Sequence, residues 1–145
     1  MIPLSNIFYD YLMAFVGIRY RWGGNNPLSG FDCSGFVTHV LCSFGMLPWA
    51  CDFSAQGIYL KFKMAIKVTP MLGSLLFFGK SVDRITHVAI ALNDKYMIEA
   101  GGGSQDTTNL ETADENNAFI KISPIAHRSD LVAIRHPNYP WEAGI

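Results

Sequence analysis

Five short apolar runs, each closed by turn residues, fill the second half of this chain. They are Ser74 to Phe78, Ile85 to Leu92, Lys95 to Ala100, Ala118 to Ser123 and Leu131 to Arg135. Short runs of this kind between turn signals read as strands. Asn93-Asp94 is a two-residue turn signal, so the second and third runs form an antiparallel hairpin. In that register Leu92 pairs with Lys95, His87 falls opposite Ala100, and Glu99 lies one position off the pairing. The stretch from Gly101 to Asn117 is rich in Gly, Ser, Thr, Asn and Asp and reads as a loop. The tail, residues 136–145, carries two prolines from Pro137 on and reads as an irregular end.

The first half reads as helices. Ile7, Phe8, Tyr11, Leu12, Phe15 and Val16 mark the buried face of a helix from Ser5 to Val16, capped by Ser5 and stopped at Gly17. A second helix runs from Cys33 to Phe44, with Phe36, Val37, Val40, Leu41 and Phe44 at helical spacing. Asp32 is its N-cap and Gly45 its C′ residue. A shorter third helix spans Ser54 to Phe62, and Pro70-Met71-Leu72-Gly73 is a turn. Helices segregated from antiparallel strands define an α+β domain. With 145 residues and no internal repeat or linker, the whole of residues 1–145 is expected to be one domain. Half the residues are hydrophobic and 16% are charged, which suits a packed core and argues against disorder.

The net charge of −1 supplies no field for nucleic acid or anionic lipid, so neither is expected as a partner. No apolar run is long enough to span a membrane. The apolar start, Ile2 to Ile18, is not read as a signal peptide. No Lys or Arg precedes Arg19, Asp10 interrupts the run, and no A-x-A-like cleavage site follows. Synthesis in a reducing cytoplasm without an export signal is the expectation.

Three cysteines are present: Cys33, Cys42 and Cys51. The odd number leaves at least one thiol free. Cys33 and Cys42 lie about 13–14 Å apart along one helix, too far to bridge. No C-x-x-C spacing marks a zinc site, and no metal is expected. Cys33 is the notable one. It follows the glycine-rich loop Gly23-Gly24-Asn25-Asn26-Pro27-Leu28-Ser29-Gly30 and opens a helix, where free N–H groups and the helix dipole stabilise a thiolate. A nucleophilic cysteine needs a base, and the base needs an orienting group. His87 opens a strand and is the candidate base; Glu99, across the hairpin, is the candidate third group. Each has a plainer reading, as a buried cysteine, a structural histidine and a solvated glutamate. His39, His127 and His136 show no partner in the sequence and read as structural or surface residues. Gly101-Gly102-Gly103-Ser104 lacks the lysine and the strand-to-helix context of a phosphate loop and reads as a plain loop.

Four segments taken together resemble the NlpC-type cysteine peptidases, papain-like enzymes of bacteria and phages that cut the peptide stems of peptidoglycan. They are Gly17-Ile18-Arg19-Tyr20-Arg21-Trp22-Gly23-Gly24, Phe31-Asp32-Cys33-Ser34-Gly35-Phe36-Val37, Gly73-Ser74-Leu75-Leu76-Phe77-Phe78 and Thr86-His87-Val88-Ala89-Ile90. The resemblance implies a papain-like fold, with N-terminal helices packed on a mostly antiparallel sheet of five to six strands. It implies Cys33 as nucleophile and His87 as base. Glu99 stands where the family commonly has His, Asn or Gln. Tyr20 falls at the tyrosine that lines the active site beside the cysteine, where it is expected to hold the oxyanion with the Cys33 N–H; Asp32 and Ser34 fall where relatives contact the substrate peptide, and Trp22 shapes the same groove. Ser74 stands where relatives usually have Asp and reads as structural. The implied activity is hydrolysis of stem-peptide amides without a cofactor, the D-γ-glutamyl-diaminopimelate bond among them, at the cell wall. A phage product acting with tail proteins and an effector carried by a delivery machine both fit. The alternatives are an acyltransferase or amidase using the same Cys-His dyad, and a non-enzymatic phage-tail piece that retains the fold.

Overall fold

In the computed structural model, which describes residues 2–49 and 51–142, the helices α1 (Leu4–Met13), α2 (Cys33–Ser43) and α3 (Ala55–Phe62) precede the main sheet. A two-stranded ribbon, β1 (Asn25–Asn26) with β2 (Gly30–Phe31), lies within the glycine-rich loop. The main sheet holds β3 (Leu75–Gly79), β4 (Ile85–Ala91), β5 (Tyr96–Gly101), β6 (Phe119–Pro124) and β7 (Leu131–Arg135). Its order is β6-β5-β4-β3-β7, antiparallel throughout. The α+β expectation and all five strands hold.

The sheet is buried on both faces, which is why its strands read as near-continuous apolar runs rather than alternating ones. On one face Val88, Ile90, Ile98 and Ala100 share a core with Phe36, Val37, Val40 and Leu41 of α2. On the other, Leu76, Phe78, Ala89, Ala91 and Met97 pack under Ile125. Asp32 caps α2 as expected, its Oδ1 accepting from the Gly35 N–H at 2.7 Å. Gly45 follows with φ of +75°, the left-handed C′ position that glycine favours. Ser54 caps α3 in the same way, accepting from the Gly57 N–H at 3.0 Å.

Four expectations need correction. Helix α1 begins at Leu4 after Pro3 and takes no side-chain cap, so Ser5 lies inside it. It also ends at Met13. Phe8 and Leu12, four apart, form its buried line, while Ile7 and Val16 are exposed. The 101–117 stretch is not all loop: Leu110–Glu115 forms a short helix, α4, with a capping box from Asn109 and Thr112. The tail is ordered through Glu142. Pro140–Glu142 make a 3₁₀ turn, and Tyr139 stacks on Trp141 with centroids 4.3 Å apart, both beside Phe8. Residues 143–145 lie outside the described residues.

The fourth correction is the β4–β5 register. Ile90 pairs with Ile98 and Ala91 with Met97. The turn therefore has three residues, Asn93 to Lys95, because Asn93 Oδ1 accepts from the N–H groups of both Lys95 and Tyr96 at 2.8 Å. The side chain closes the turn that a two-residue loop would have closed with backbone. A one-residue shift moves every side chain of a strand to the opposite face. Here it puts Glu99 on the face of His87, where the two-residue register had left it off the pairing.

The glycines of the two recognisable motifs lock together. A Cβ on Gly35 would lie 1.9 Å from the Gly24 carbonyl oxygen, a backbone atom that cannot give way. Gly35→Ala is expected to cost about 3 kcal/mol, the upper end of overpacking penalties. The expected result is a markedly lowered melting temperature in thermal denaturation, with the cleft loop displaced.

Candidate active site

Each candidate side chain is brought to one cleft by the end of an element. The cleft encloses about 1080 Å³ and is lined by Tyr20, Trp22, Asp32, Cys33, Ser34, His87 and Glu99 among others. Cys33 is the first residue of α2. His87 sits on β4 opposite Phe78 of β3, its ring 5.6 Å from that of Phe78. The β4–β5 ladder stops at Ile90 and Ile98, short of both His87 and Glu99.

His87 Nε2 lies 2.7 Å from Glu99 Oε1, which leaves Nδ1 free for a second partner in the cleft that Cys33 also lines. Both His87 and Glu99 are buried, at 8% and 3% exposure, so this pair is held away from water. Burial alone would strip the imidazole of its charge. The neighbouring Cys33 and the hydrogen-bonded Glu99 carboxylate outweigh it and raise His87 to about 9. Burial likewise opposes the charge on Glu99. Hydrogen bonds from His87, Ser123 and His127 outweigh it and hold the carboxyl well below its ordinary range. The state that results is an imidazolium–carboxylate pair with the proton on the ring.

Asp32 does two structural jobs at the cleft. Oδ1 caps α2, and Oδ2 accepts from the Gly23 N–H at 2.9 Å, tying the Trp22-Gly23 loop to the helix start. Ser34 Oγ reaches Oδ1 at 3.3 Å. Burial raises the Asp32 carboxyl against these hydrogen bonds, which pull it down. Tyr20 is buried and bridged to Phe31, and its N–H donates to the Ala118 carbonyl at 3.0 Å. Burial, then the neighbouring Cys33 and Asp32, push its phenol strongly upward, so the hydroxyl keeps its proton and can donate into the cleft it lines. A Cβ on Gly103 would meet the Tyr20 ring at 2.1 Å, which is why the glycine run sits there. Trp22 is half exposed, its N–H donating to the Thr107 carbonyl at 2.7 Å.

Two side chains of the cleft escape sequence reasoning. His127, expected to be partnerless, places Nε2 3.2 Å from Glu99 Oε2. It ends the 3₁₀ turn Ile125–His127 that follows β6 and returns the chain over the Glu99 face. Arg128 follows it, paired with Asp130 through Nε and a terminal nitrogen at 2.9 and 2.8 Å and lying over the Phe78 ring. No local signal marks either residue, because the contacts span a turn. His136 also has partners, Ser74 Oγ at 2.9 Å and Glu142 at 2.7 Å. Ser74 is fully buried there, in the structural role expected for it. His39 packs among Phe15, Phe31 and Trp49. No group of three or more potential metal ligands occurs among the described residues.

Residues 17–123 match the model of the NlpC/P60 family. The chain belongs to the NlpC/P60 family. This NlpC/P60 domain is 32% identical over 111 residues to the probable peptidoglycan endopeptidase LytE of Bacillus subtilis, covering 74% of the chain and 29% of LytE. It is 31% identical over 112 residues to the bifunctional muramidase/DL-endopeptidase CwlT of the same organism, covering 72% and 33%. The chain thus spans about a third of the length of these curated relatives. Its fold superposes on an NlpC/P60 family protein of Bacillus cereus with a TM-score of 0.66 at 21% identity, over 92% of this chain and 40% of that one. RipD of Mycobacterium tuberculosis, described as a non-catalytic NlpC/p60 domain protein, matches at 0.65 and 18% identity, over 94% and 98%.

Proposed function

We propose that this NlpC/P60 domain is a cysteine endopeptidase that hydrolyses amide bonds in peptidoglycan stem peptides. The observation that carries the reading is the buried His87–Glu99 pair in the same cleft that Cys33 lines from a helix start. The Cys33 thiolate attacks the amide carbonyl. The Cys33 N–H, one of the unpaired donors of the first turn of α2, and the Tyr20 hydroxyl hold the oxyanion. His87 protonates the leaving amine, then takes a proton from the water that cleaves the thioester. The names of LytE and CwlT support peptidoglycan as the substrate.

The cleft supports a substrate that carries both charges. Asp32, Asp52 and Asp106 line it together with Lys121 and Arg128. Stem peptides present free carboxylates and amines within a few bonds of each other. The bond proposed is D-γ-glutamyl-diaminopimelate, in keeping with the DL-endopeptidase in the name of CwlT. Mass analysis of muropeptides after digestion tests it. A new diaminopimelate amino end identifies that bond. Cleavage at the sugar-linked alanine would instead identify an amidase, and transfer to an added amine an acyltransferase.

Asp32 is proposed to favour stem peptides with a free amine. Asp32→Asn keeps an acceptor for the cap but removes the charge. The expected outcome is a fall in the ratio of kcat/KM on free-amine stem peptides to that on intact strands, with a stability loss of about 1 kcal/mol. A lowered melting temperature with an unchanged ratio would leave Asp32 the cap role alone.

His127 is proposed as a positioning residue. By donating to Glu99 Oε2 it keeps Oε1 turned toward His87. His127→Ala is expected to lower kcat about tenfold with little change in KM, the scale of losing an orienting contact rather than a reacting group. His127→Gln, whose amide can donate to the same oxygen, should recover most of the loss in a steady-state assay.

A further inference from the structure

Outside the cleft, one pair of reactive side chains has no part in the hydrolysis. Cys42 lies in the last turn of α2 and is 5% exposed, while Cys51 precedes α3 and is partly exposed. Their Sγ atoms are 3.9 Å apart. Both thiols donate to one carbonyl, that of Pro48, at 3.4 Å for Cys42 and 2.7 Å for Cys51. A single backbone oxygen therefore holds the two sulfurs side by side. A disulfide needs about 2.0 Å between sulfurs, so the two must approach further for the bond to form.

We propose that Cys42 and Cys51 form a reversible disulfide, a modification site that takes a low-molecular-weight disulfide such as oxidised glutathione as its oxidant. The partly exposed Cys51 reacts first. Its thiolate attacks one sulfur of the oxidant, forms a mixed disulfide and releases one glutathione thiolate. Cys42 then gives up its proton and attacks the Cys51 sulfur, releasing the second glutathione. Two protein thiols are oxidised to one disulfide, and one oxidised glutathione is reduced to two thiols. The order follows from the environments. Burial, then the hydrogen bond and charge of Cys51, push the Cys42 thiol up to about 11, which makes it a poor first attacker and a resolving thiol.

The bond has two consequences. It ties the end of α2 to the segment that leads directly into Asp52, Phe53 and Ser54, which line the cleft. Cross-linking the chain across a short loop restricts the unfolded ensemble and fixes that wall. It also removes the two spare thiols from exchange with Cys33, which sits at the opposite end of α2. A cysteine hydrolase working in an oxidising space then keeps its nucleophile unpaired. The inference is independent of whether Cys33 hydrolyses anything.

The test uses the full chain carrying Cys33→Ala, in which Cys42 and Cys51 are the remaining cysteines. After exposure to oxidised glutathione under native conditions, the intact mass should fall by two hydrogens with no glutathione attached, and a reductant should reverse it. The oxidised form should melt at a higher temperature than the reduced form. Adding Cys51→Ser should abolish both effects while the protein stays folded by circular dichroism. In the wild-type chain, chymotrypsin cuts after Phe36, Phe44 and Trp49 and puts the three cysteines on three peptides. The peptides of Cys42 and Cys51 should be recovered linked. An unchanged mass, a persisting glutathione adduct, or a Cys33–Cys51 link in the wild type would each overturn the proposal. Equal melting temperatures would overturn its role in fixing the cleft wall.

Discussion

Cys33→Ala and His87→Ala are each expected to reduce hydrolysis of stem peptides by at least about a thousandfold, with the double variant hardly further down, because residues acting as one unit lose their function together. Folding should survive both changes. Cys33 is only partly buried at the margin of the core, and His87 faces the cleft rather than the apolar cluster shared by α2 and the sheet. Circular dichroism and thermal melts on the same samples separate loss of chemistry from loss of fold. Near-normal turnover in a folded His87→Ala protein would assign the base to another residue.

The second large effect concerns Glu99. Activity should fall in the order wild type, Glu99→Gln, Glu99→Ala. Glutamine can still accept from the ring N–H, and alanine cannot. The pH dependence has a definite sign. The active pair keeps the proton on His87, so the basic limb of the pH–rate profile marks loss of that proton. Glu99 is one of the groups that raise His87 from its ordinary 6.5 to about 9. Removing the carboxylate removes that support while the burial that opposes the charge remains. The basic limb should therefore move to lower pH in both variants, within the window between those two values. A profile of Glu99→Ala that overlays wild type would mean that the carboxylate does not act on the imidazole.

The same residue shows what the sequence could and could not carry. The strands were legible because both sheet faces are buried, so their residues run apolar without interruption from Leu75 to Phe78 and from Val88 to Ala91. Helix α2 was legible from its cap, its spacing and Gly45. The position of Glu99 relative to His87 was not, because it turns on whether Asn93 closes a two- or a three-residue turn, and one side-chain oxygen decides that. Helix α1 was over-extended for a similar reason. Phe15 and Val16 continue the apolar pattern past Met13, and a pattern does not show that the backbone has left the helix. His127 and Arg128 were invisible as cleft residues, since they reach Glu99 and Phe78 only after a turn folds them back. The approach of Cys42 and Cys51 was equally hidden, because it depends on how the chain returns past the end of α2.

The central claim is that Cys33 cuts stem peptides, and digestion of purified peptidoglycan by the wild-type protein beside Cys33→Ala tests it most directly. The wild type should release peptides with new diaminopimelate amino ends, and Cys33→Ala, folded to the same melting temperature, should release none. Equal release by both proteins, or intact peptidoglycan after treatment with a folded wild-type protein, would contradict the claim.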